Sequence, residues 1–84
     1  MKYDYLITFR SITYAQRGQK ALSTAGIAAH LRRTPRELSS RGCGYCLMVG
    51  QEDARRAAEV LQQQNIAYGK VYRRTERGLE ERSL

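Results

Sequence analysis

The strongest constraint on the fold is one succession of sequence signals that occurs twice: an extended segment, a helical segment, a stop residue and a second extended segment. In the first half, β-favouring residues occupy every second position of residues 3–10, which predicts a strand. Ser11 or Thr13 is placed to cap a following helix, and Gly26 is placed to end it in the left-handed conformation. Residues 27–34 predict a second strand, which Pro35 ends.

The helix of the first half has an apolar face at helical spacing. Gly18 on this face is expected to let the helix backbone approach the surface beneath it. The residues predicted to share the face are Tyr14, Gly18, Ala21, Leu22 and Ala25.

The second half repeats the same order. Residues 45–49 alternate and predict a third strand, and Glu52 and Asp53 are expected in the first turn of a second helix. Asn65 takes the place of Gly26 as the stop residue, and residues 66–73 predict a fourth strand. The helix carries an apolar stripe of small residues and one leucine, Ala54, Ala57, Ala58 and Leu61.

A short internal repeat supports the duplication. Residues 22–28 and 61–67 share the pattern Leu-x-x-x-(Gly/Asn)-Ile-Ala. Two β-α-β units in a short chain predict an α+β fold of the ferredoxin-like βαββαβ kind, with a four-stranded antiparallel sheet and both helices on one face. We expect residues 1–74 to form this single domain and residues 75–84 to be a flexible or frayed-helical tail.

Length limits the range of functions. A chain of 84 residues has room for one small core, which argues against most multi-step enzymes. Its apolar runs fall far short of the ~20 residues that span a bilayer. Asp4 and Arg10 interrupt any signal-peptide core, so a cytoplasmic location without membrane association is expected.

The charge is placed unevenly. Residues 1–41 hold eight basic and two acidic residues, whereas residues 42–84 hold seven basic and six acidic residues. The net charge of +7 therefore lies almost entirely in the first half. This asymmetry favours an anionic partner near the basic part, although a solvated basic surface would give the same pattern.

The segment between the second and third predicted strands carries the residues best suited to chemistry. Cys43 stands between Gly42 and Gly44, with Arg41 two residues before it. Nearby cations and backbone N–H groups lower a thiol pKa, and glycine neighbours leave the thiol accessible, so Cys43 is a candidate reactive cysteine. The alternative is that the glycines only form a bend and Cys43 fills space.

Cys46 has a different setting. It falls within the third strand on the same face as Met48, where it is either a packing residue or a resolving thiol for Cys43. The C-x-x-C spacing resembles thioredoxin motifs, but those open a helix and this one enters a strand. Cys43, Cys46 and His30 supply at most three metal ligands, so no metal is predicted.

RNA binding is the competing use of a basic α+β domain. Aromatic residues on the presumed outer strands could stack on bases. The third strand nevertheless lacks the aromatic signature of RNA-recognition domains, so nucleic acid is disfavoured. The aromatic residues concerned are Tyr3, Tyr5, Phe9, Tyr68 and Tyr72.

Several of these motifs resemble one known family. Residues 5–9 followed by Ser11-Ile12, the Gly26-Ile27 pair, the run Thr-Pro-Arg-Glu-Leu-Ser-Ser at 34–40 and the Cys43-Gly44 pair are similar to the selenium/sulfur carrier protein-like family of small bacterial proteins. The resemblance covers about residues 3–73 and implies that Cys43 is the residue that carries the chalcogen. The family has a small apolar residue where this chain has Cys46.

A carrier mechanism fits both the residues and the resemblance. On this hypothesis Cys43 accepts sulfane sulfur or selenium from a donor such as a cysteine desulfurase and passes it to an acceptor selenium or sulfur enzyme, without any other cofactor. The terminal anion would be stabilised by residues of the same segment: Arg36, Ser39, Ser40, Arg41, Gly42 and Gly44. The alternative is a non-catalytic interaction domain with a Cys43–Cys46 redox switch. An exposed edge strand makes a homodimer conceivable.

Overall fold

The first β-α-β unit forms largely where the sequence predicts it. The computed structural model describes residues 3–36, 38 and 44–82. Strand β1 (Tyr5–Phe9) leads into helix α1 (Ile12–Thr24), and strand β2 (His30–Arg33) follows. Ser11 is the N-cap of α1, and its hydroxyl accepts a hydrogen bond from the Tyr14 amide. Gly26 has φ +81°, which confirms the left-handed stop.

The second unit repeats the first and is followed by one more strand. Strand β3 (Tyr45–Val49) precedes helix α2 (Ala54–Gln63), and strand β4 (Val71–Thr75) follows it. Asn65 stops α2 with φ 57°, as Gly26 stops α1. Glu52 and Asp53 precede α2 instead of lying in its first turn, because the helix begins one residue after Asp53.

A fifth strand corrects the predicted sheet. Strand β5 (Gly78–Arg82) pairs antiparallel with β4, so the sheet has five strands in the order β2-β3-β1-β4-β5. The prediction of four strands is wrong, and so is the prediction of a frayed helix or disordered tail for residues 78–82. The broader prediction of an α+β fold with an antiparallel sheet and two helices is confirmed.

The core lies between the sheet and the two helices. Alternate residues of β1 and β3 face the helices, where Ile7, Phe9, Leu47 and Val49 join Leu61 of α2 in one buried cluster. Phe9 is 3% exposed, and Tyr5 packs against the same cluster. The prediction that Phe9 is a surface aromatic residue is therefore wrong.

Close helix packing depends on Gly18. A Cβ at this position would lie 3.0 Å from the ring of Phe9 and 3.2 Å from a methyl group of Leu61. The expected close approach at Gly18 is thus confirmed. Tyr14 departs from the predicted apolar face, because its side chain is 39% exposed and lies beneath the Arg17 guanidinium.

Candidate functional site

A hydrogen-bonded residue pair forms the base of the loop between β2 and β3. The Thr34 amide donates to the carbonyl oxygen of Gly44 at 3.2 Å, which adds one more pair to the β2–β3 ladder. Within the loop, the Leu38 amide donates to the Pro35 carbonyl at 2.9 Å and closes a turn. Arg36 lies in that turn and is exposed. Gly44 is thereby anchored at the end of the sheet.

Gly44 is required at its position by backbone conformation. Its φ is +114°, a region that residues with a Cβ adopt only at a cost of about 1–3 kcal/mol. A Cβ here would also touch the Thr34 Oγ1 at 3.4 Å and the Phe9 carbonyl oxygen at 3.5 Å. Gly44 thus occupies a backbone region that favours glycine.

A cleft opens beside the base of the loop. Its volume is about 350 Å³, and its walls come from β1, from the loop and from the segment that leads into β4. The lining residues include two threonines, a tyrosine, a lysine and apolar residues. The lining residues are Thr8, Phe9, Thr34, Leu38, Gly44, Gly69, Lys70 and Tyr72.

One wall of the cleft is fixed by hydrogen bonds between Thr8 and the chain before β4. The Thr8 amide donates to the Lys70 carbonyl at 3.0 Å, and the Gly69 amide donates to the Thr8 carbonyl at 2.7 Å. The Thr8 hydroxyl donates to the Lys70 carbonyl and accepts from the Lys70 amide, both at 2.9 Å. A Cβ on Gly69 would lie 2.7 Å from the Thr8 Oγ1, so this wall needs glycine there.

The Thr34 hydroxyl has a different status. Its oxygen is buried and has no hydrogen-bond partner among the residues that the structure describes. A buried hydroxyl without a partner is costly to desolvate, so such groups are often found where a ligand or a reacting group completes the bond. Thr34 lines the cleft next to Gly44, and Gly44 directly follows Cys43 in the sequence.

Cys46 lies on the face of the sheet opposite the helices. Its cross-strand partners are Thr8 on β1 and Arg32 on β2, which confirms that it shares a face with Met48. The side chain is fully buried, at 0% exposure. Burial raises the pKa of the thiol from 9.0 to about 11, although the Arg74 and Arg32 guanidinium groups act in the opposite direction.

A thiol with this pKa is almost entirely protonated near neutral pH and is a poor nucleophile. The Cys46 sulfur faces the carbonyl oxygen of Arg33 at 3.9 Å, a weak contact. Its surroundings suit a packed side chain.

The described residues contain only part of the predicted site. Arg36, Gly44 and Cys46 are described, and of these Gly44 alone lines the cleft. Cys43 and the other predicted members lie outside the described residues: Ser39, Ser40, Arg41 and Gly42.

Sequence reasoning did not bring together four residues of the cleft. Thr8, Thr34, Lys70 and Tyr72 come from different strands and the segments beside them, and Thr8 is 62 residues from its partner Lys70. No local signal connects positions so distant. The pairing of β1 with β4 brings Thr8 beside Lys70 and Tyr72, and the pairing of β3 with β1 and β2 adds Thr34.

Side chains that could bind a metal ion are dispersed in the described part of the chain. Within residues 3–36, 38 and 44–82, three or more His, Cys, Asp or Glu side chains nowhere come close enough to hold an ion. His30 is exposed on β2 and packs edge-on against Tyr3, with ring centroids 4.4 Å apart. In the same part of the chain, neither helix is long and apolar enough to cross a membrane.

Comparison with known proteins identifies the family. The family model described as "Putative Se/S carrier protein-like" matches residues 4–73, most of the chain. The chain belongs to this family. The region shared with these Se/S carrier-like proteins includes β1, both helices, β2, β3 and the whole loop, and it ends inside β4, so β5 lies beyond it. Searches of curated proteins and of solved structures found no match to this chain.

Proposed function

We propose that this protein carries sulfur or selenium as a persulfide or selenosulfide on Cys43 and transfers it between partner proteins. The observation that carries the proposal is the match to the Se/S carrier-like family across residues 4–73, which include the complete loop. The geometry adds support, because Gly44 anchors the loop beside a cleft whose lining residues include Lys70 and two threonines. A reducing, cytoplasmic setting would keep the thiol available.

The transfer is a thiol exchange that needs no external oxidant. The Cys43 thiolate attacks the terminal sulfur of a persulfide on the donor, for example a cysteine desulfurase. A new S–S bond forms at Cys43 as the donor's S–S bond breaks, and the donor cysteine leaves as a thiolate. The acceptor, a selenium or sulfur enzyme, then takes the terminal atom in the same way.

The described part of the site can stabilise the terminal anion. Lys70 lines the cleft, where its ammonium group also pairs with Glu81 at 3.6 Å, and the buried Thr34 hydroxyl is a donor without a described partner. Arg36 is exposed in the turn that opens the loop. Hydrogen bonds from such groups are stronger when the acceptor is charged. In the proposal Arg41, Ser39 and Ser40 complete this set, with amides near Gly42.

Burial of Cys46 favours the carrier over the redox switch. A Cys43–Cys46 disulfide would need the Cys46 thiol to reach its partner and to ionise, and burial opposes ionisation. A resolving role for Cys46 would therefore require β3 to open. The carrier mechanism uses Cys43 alone.

The proposal extends to the scaffold. Strands β4, β1, β3 and β2 lie side by side in that order, so the two β-α-β units interleave as in ferredoxin-like folds. Helices α1 and α2 contribute to the same core cluster. We regard the fold as a ferredoxin-like arrangement extended by β5.

Incubation with a cysteine desulfurase and free cysteine tests the proposal. Mass spectrometry should find one added sulfur atom on Cys43 in the wild-type protein and in Cys46→Ala, and none in Cys43→Ser. The proposal fails if the wild-type protein acquires no sulfur while an established sulfur carrier does so under the same conditions. Loss of acquisition in Cys46→Ala, with a Cys43–Cys46 disulfide in the wild-type protein, would favour the redox switch.

A further inference from the structure

The strand pairing gives the sheet two chemically different ends. Pairing places Phe9, Arg33 and Tyr45 at one end, together with the start of β4 and the end of β5. We call this the loop end, because residues 34–44 connect β2 to β3 there. The β4–β5 turn lies at the opposite end, as do the segment before β1 and the segment after β3.

Exposed basic side chains gather at the loop end. Arg10 follows β1, Arg33 ends β2 and Arg36 lies in the loop, and none of the three forms an ion pair with a carboxylate of the described residues. Lys70 and Arg82 lie at the same end but pair with Glu81 and Glu80 at 3.6 and 3.1 Å. Three arginines there are thus without a described counter-charge.

The positive charge at this end comes from side chains. The Arg33 guanidinium stacks over the Tyr45 ring at 5.8 Å, which orients it at the end of β2. Helix α1 begins at this end and α2 finishes there, so the dipoles of the two helices oppose each other.

The opposite end has a nearly balanced charge. Acidic residues occur before β1, after β3 and in the β4–β5 turn, and basic residues lie beside them. The acids are Asp4, Glu52, Asp53 and Glu76, and the neighbouring bases are Arg55, Arg56, Arg73, Arg74 and Arg77. The net positive charge is therefore concentrated where the loop is attached.

We propose that the loop end is a docking surface for an acidic surface patch on the protein that exchanges the chalcogen with Cys43. This inference rests on the proposed carrier function and names the chemistry of its partner. Charge complementarity of this kind speeds encounter and sets orientation, so it would bring the partner's reacting cysteine to the loop before the exchange.

The arrangement favours a protein over single-stranded nucleic acid. RNA-binding sheets present aromatic residues on the open face of their central strands. Here β1 and β3 place Leu6, Thr8, Cys46 and Met48 on that face, and the third inner strand, β4, adds a single aromatic residue, Tyr72. The arginines without a counter-charge among the described residues lie at the end of the sheet, around the loop and the cleft.

Charge reversal at the two ends tests the proposal. The measured quantity is the rate at which Cys43 acquires sulfur from the desulfurase that loads the wild-type protein. The test variant carries Arg10→Glu and Arg33→Glu, and the matched control carries Arg55→Glu and Arg77→Glu at the opposite end. At low salt, about 0.02 M, we expect the test variant to be slower by about 10-fold or more, and the control to stay within about 2-fold.

Salt and a small donor separate docking from chemistry. At about 0.3 M salt the difference between test and control should shrink, because exposed charges are screened. At that salt low-molecular-weight polysulfide, whose own charge is also screened, needs no docking and should load all proteins at equal rates. Circular dichroism should show that both variants remain folded. If the double variant does not fold, each charge reversal is tested as a single variant.

The outcomes distinguish the two proposals. Equal rates for test and control at low salt, with normal loading of the wild-type protein, would overturn the docking surface and leave the carrier function standing. Failure of every donor to load wild-type Cys43 would overturn both. Binding of a labelled single-stranded oligouridine that the Arg10 and Arg33 reversals abolish, with an unchanged donor rate, would assign the loop end to nucleic acid instead.

Discussion

The chain reverses direction after β2 and again after β4, and both reversals close on the same pair of residue types. Thr34 and Gly44 close the first, and Thr75 and Gly78 close the second. The two glycines have nearly the same backbone conformation, with φ +114° and +112°. Because the closing residues match, the two reversals differ only in the residues that they enclose and in the surroundings of those residues.

In the second reversal the hydroxyl of the closing threonine forms its hydrogen bonds within the turn. Two residues lie between Thr75 and Gly78, the Thr75 hydroxyl donates to the Gly78 carbonyl at 3.2 Å, and it accepts from the Arg77 amide at 3.1 Å. In the first reversal nine residues intervene, and the Thr34 hydroxyl has no described partner. The first reversal therefore retains hydrogen-bonding capacity beside a cleft, which is what a site for an anionic group requires.

Replacing the first reversal by the second should produce the largest effect. A variant in which Glu-Arg replaces residues 35–43 would link Thr34 to Gly44 as Glu76 and Arg77 link Thr75 to Gly78. Sulfur acquisition should be lost completely, because Cys43 is removed. The free energy of unfolding should stay the same or rise by about 1 kcal/mol, since a shorter loop costs less to close. Urea unfolding followed by circular dichroism measures this.

The informative outcome of that variant is its folding. A cooperative unfolding transition would place residues 35–43 outside the scaffold and leave them free to serve chemistry. Loss of the transition would show that the loop packs as part of the fold, and the comparison of the two reversals would then fail.

Alanine at the two closing glycines sharpens the comparison. Gly44→Ala and Gly78→Ala should each lower the free energy of unfolding by about 1–3 kcal/mol, because both force an alanine into positive φ. Only Gly44→Ala should also slow sulfur acquisition, since its Cβ would lie against the Thr34 hydroxyl, whereas nothing lies within 4 Å at Gly78. Gly78→Ala thereby controls for lost stability. Equal slowing in both variants would assign the effect to stability alone.

The elements of both β-α-β units could be predicted from sequence because their signals are local. A hydroxyl at Ser11 and left-handed residues at Gly26 and Asn65 fix helix ends within a few residues. The loop could be located for the same reason, since Pro35 and Gly44 have conformational preferences of their own.

Strand β5 could not be predicted because its stability depends on its partner. Residues 78–82 hold one leucine, two glutamates and an arginine, without the apolar alternation typical of a strand. Cross-strand pairs stabilise it, among them Tyr72 opposite Glu81 and the ion pair from Lys70 to Glu81. The cleft could not be predicted from sequence for the same reason, because its residues come together only when the strands pair.

Alkaline unfolding tests whether Cys46 belongs to the buried scaffold or to the reactive loop. Cys46 is the second residue of β3, and burial raises its pKa from 9.0 to about 11. A thiol with a raised folded-state pKa favours the native state below the unfolded pKa, and this stability is lost as pH rises through the folded pKa. Wild-type unfolding free energy should therefore fall by on the order of 2 kcal/mol more than that of Cys46→Ala between about pH 9 and 11.

The control for that experiment is the same pair of proteins at pH 7, where the difference between them should be constant over a pH unit. Identical pH profiles for Cys46→Ala and the wild-type protein would mean that the thiol ionises freely. Cys46 would then belong with the reactive residues of the loop, and the redox switch would regain support.

Valine at the two closing threonines gives the smallest effect and the most specific one. Thr75→Val removes two hydrogen bonds and should cost about 1 kcal/mol of unfolding free energy. Thr34→Val removes a buried hydroxyl without a described partner, so stability should be unchanged or slightly higher. If that hydroxyl donates to the terminal chalcogen, Thr34→Val should slow sulfur acquisition by about 10-fold, the value of one hydrogen bond to a charged group, and Thr75→Val should not.

The two measurements must separate for the comparison to hold. A stability loss in Thr34→Val equal to that in Thr75→Val would mean that the Thr34 hydroxyl already has a partner within the folded chain. The threonine hydroxyls of both reversals would then be hydrogen-bonded within the folded chain. The donor for the carried anion would have to come from Lys70 or from the loop itself. Slower acquisition at full stability leaves the hydroxyl beside Gly44 as the group that distinguishes a working loop from a turn.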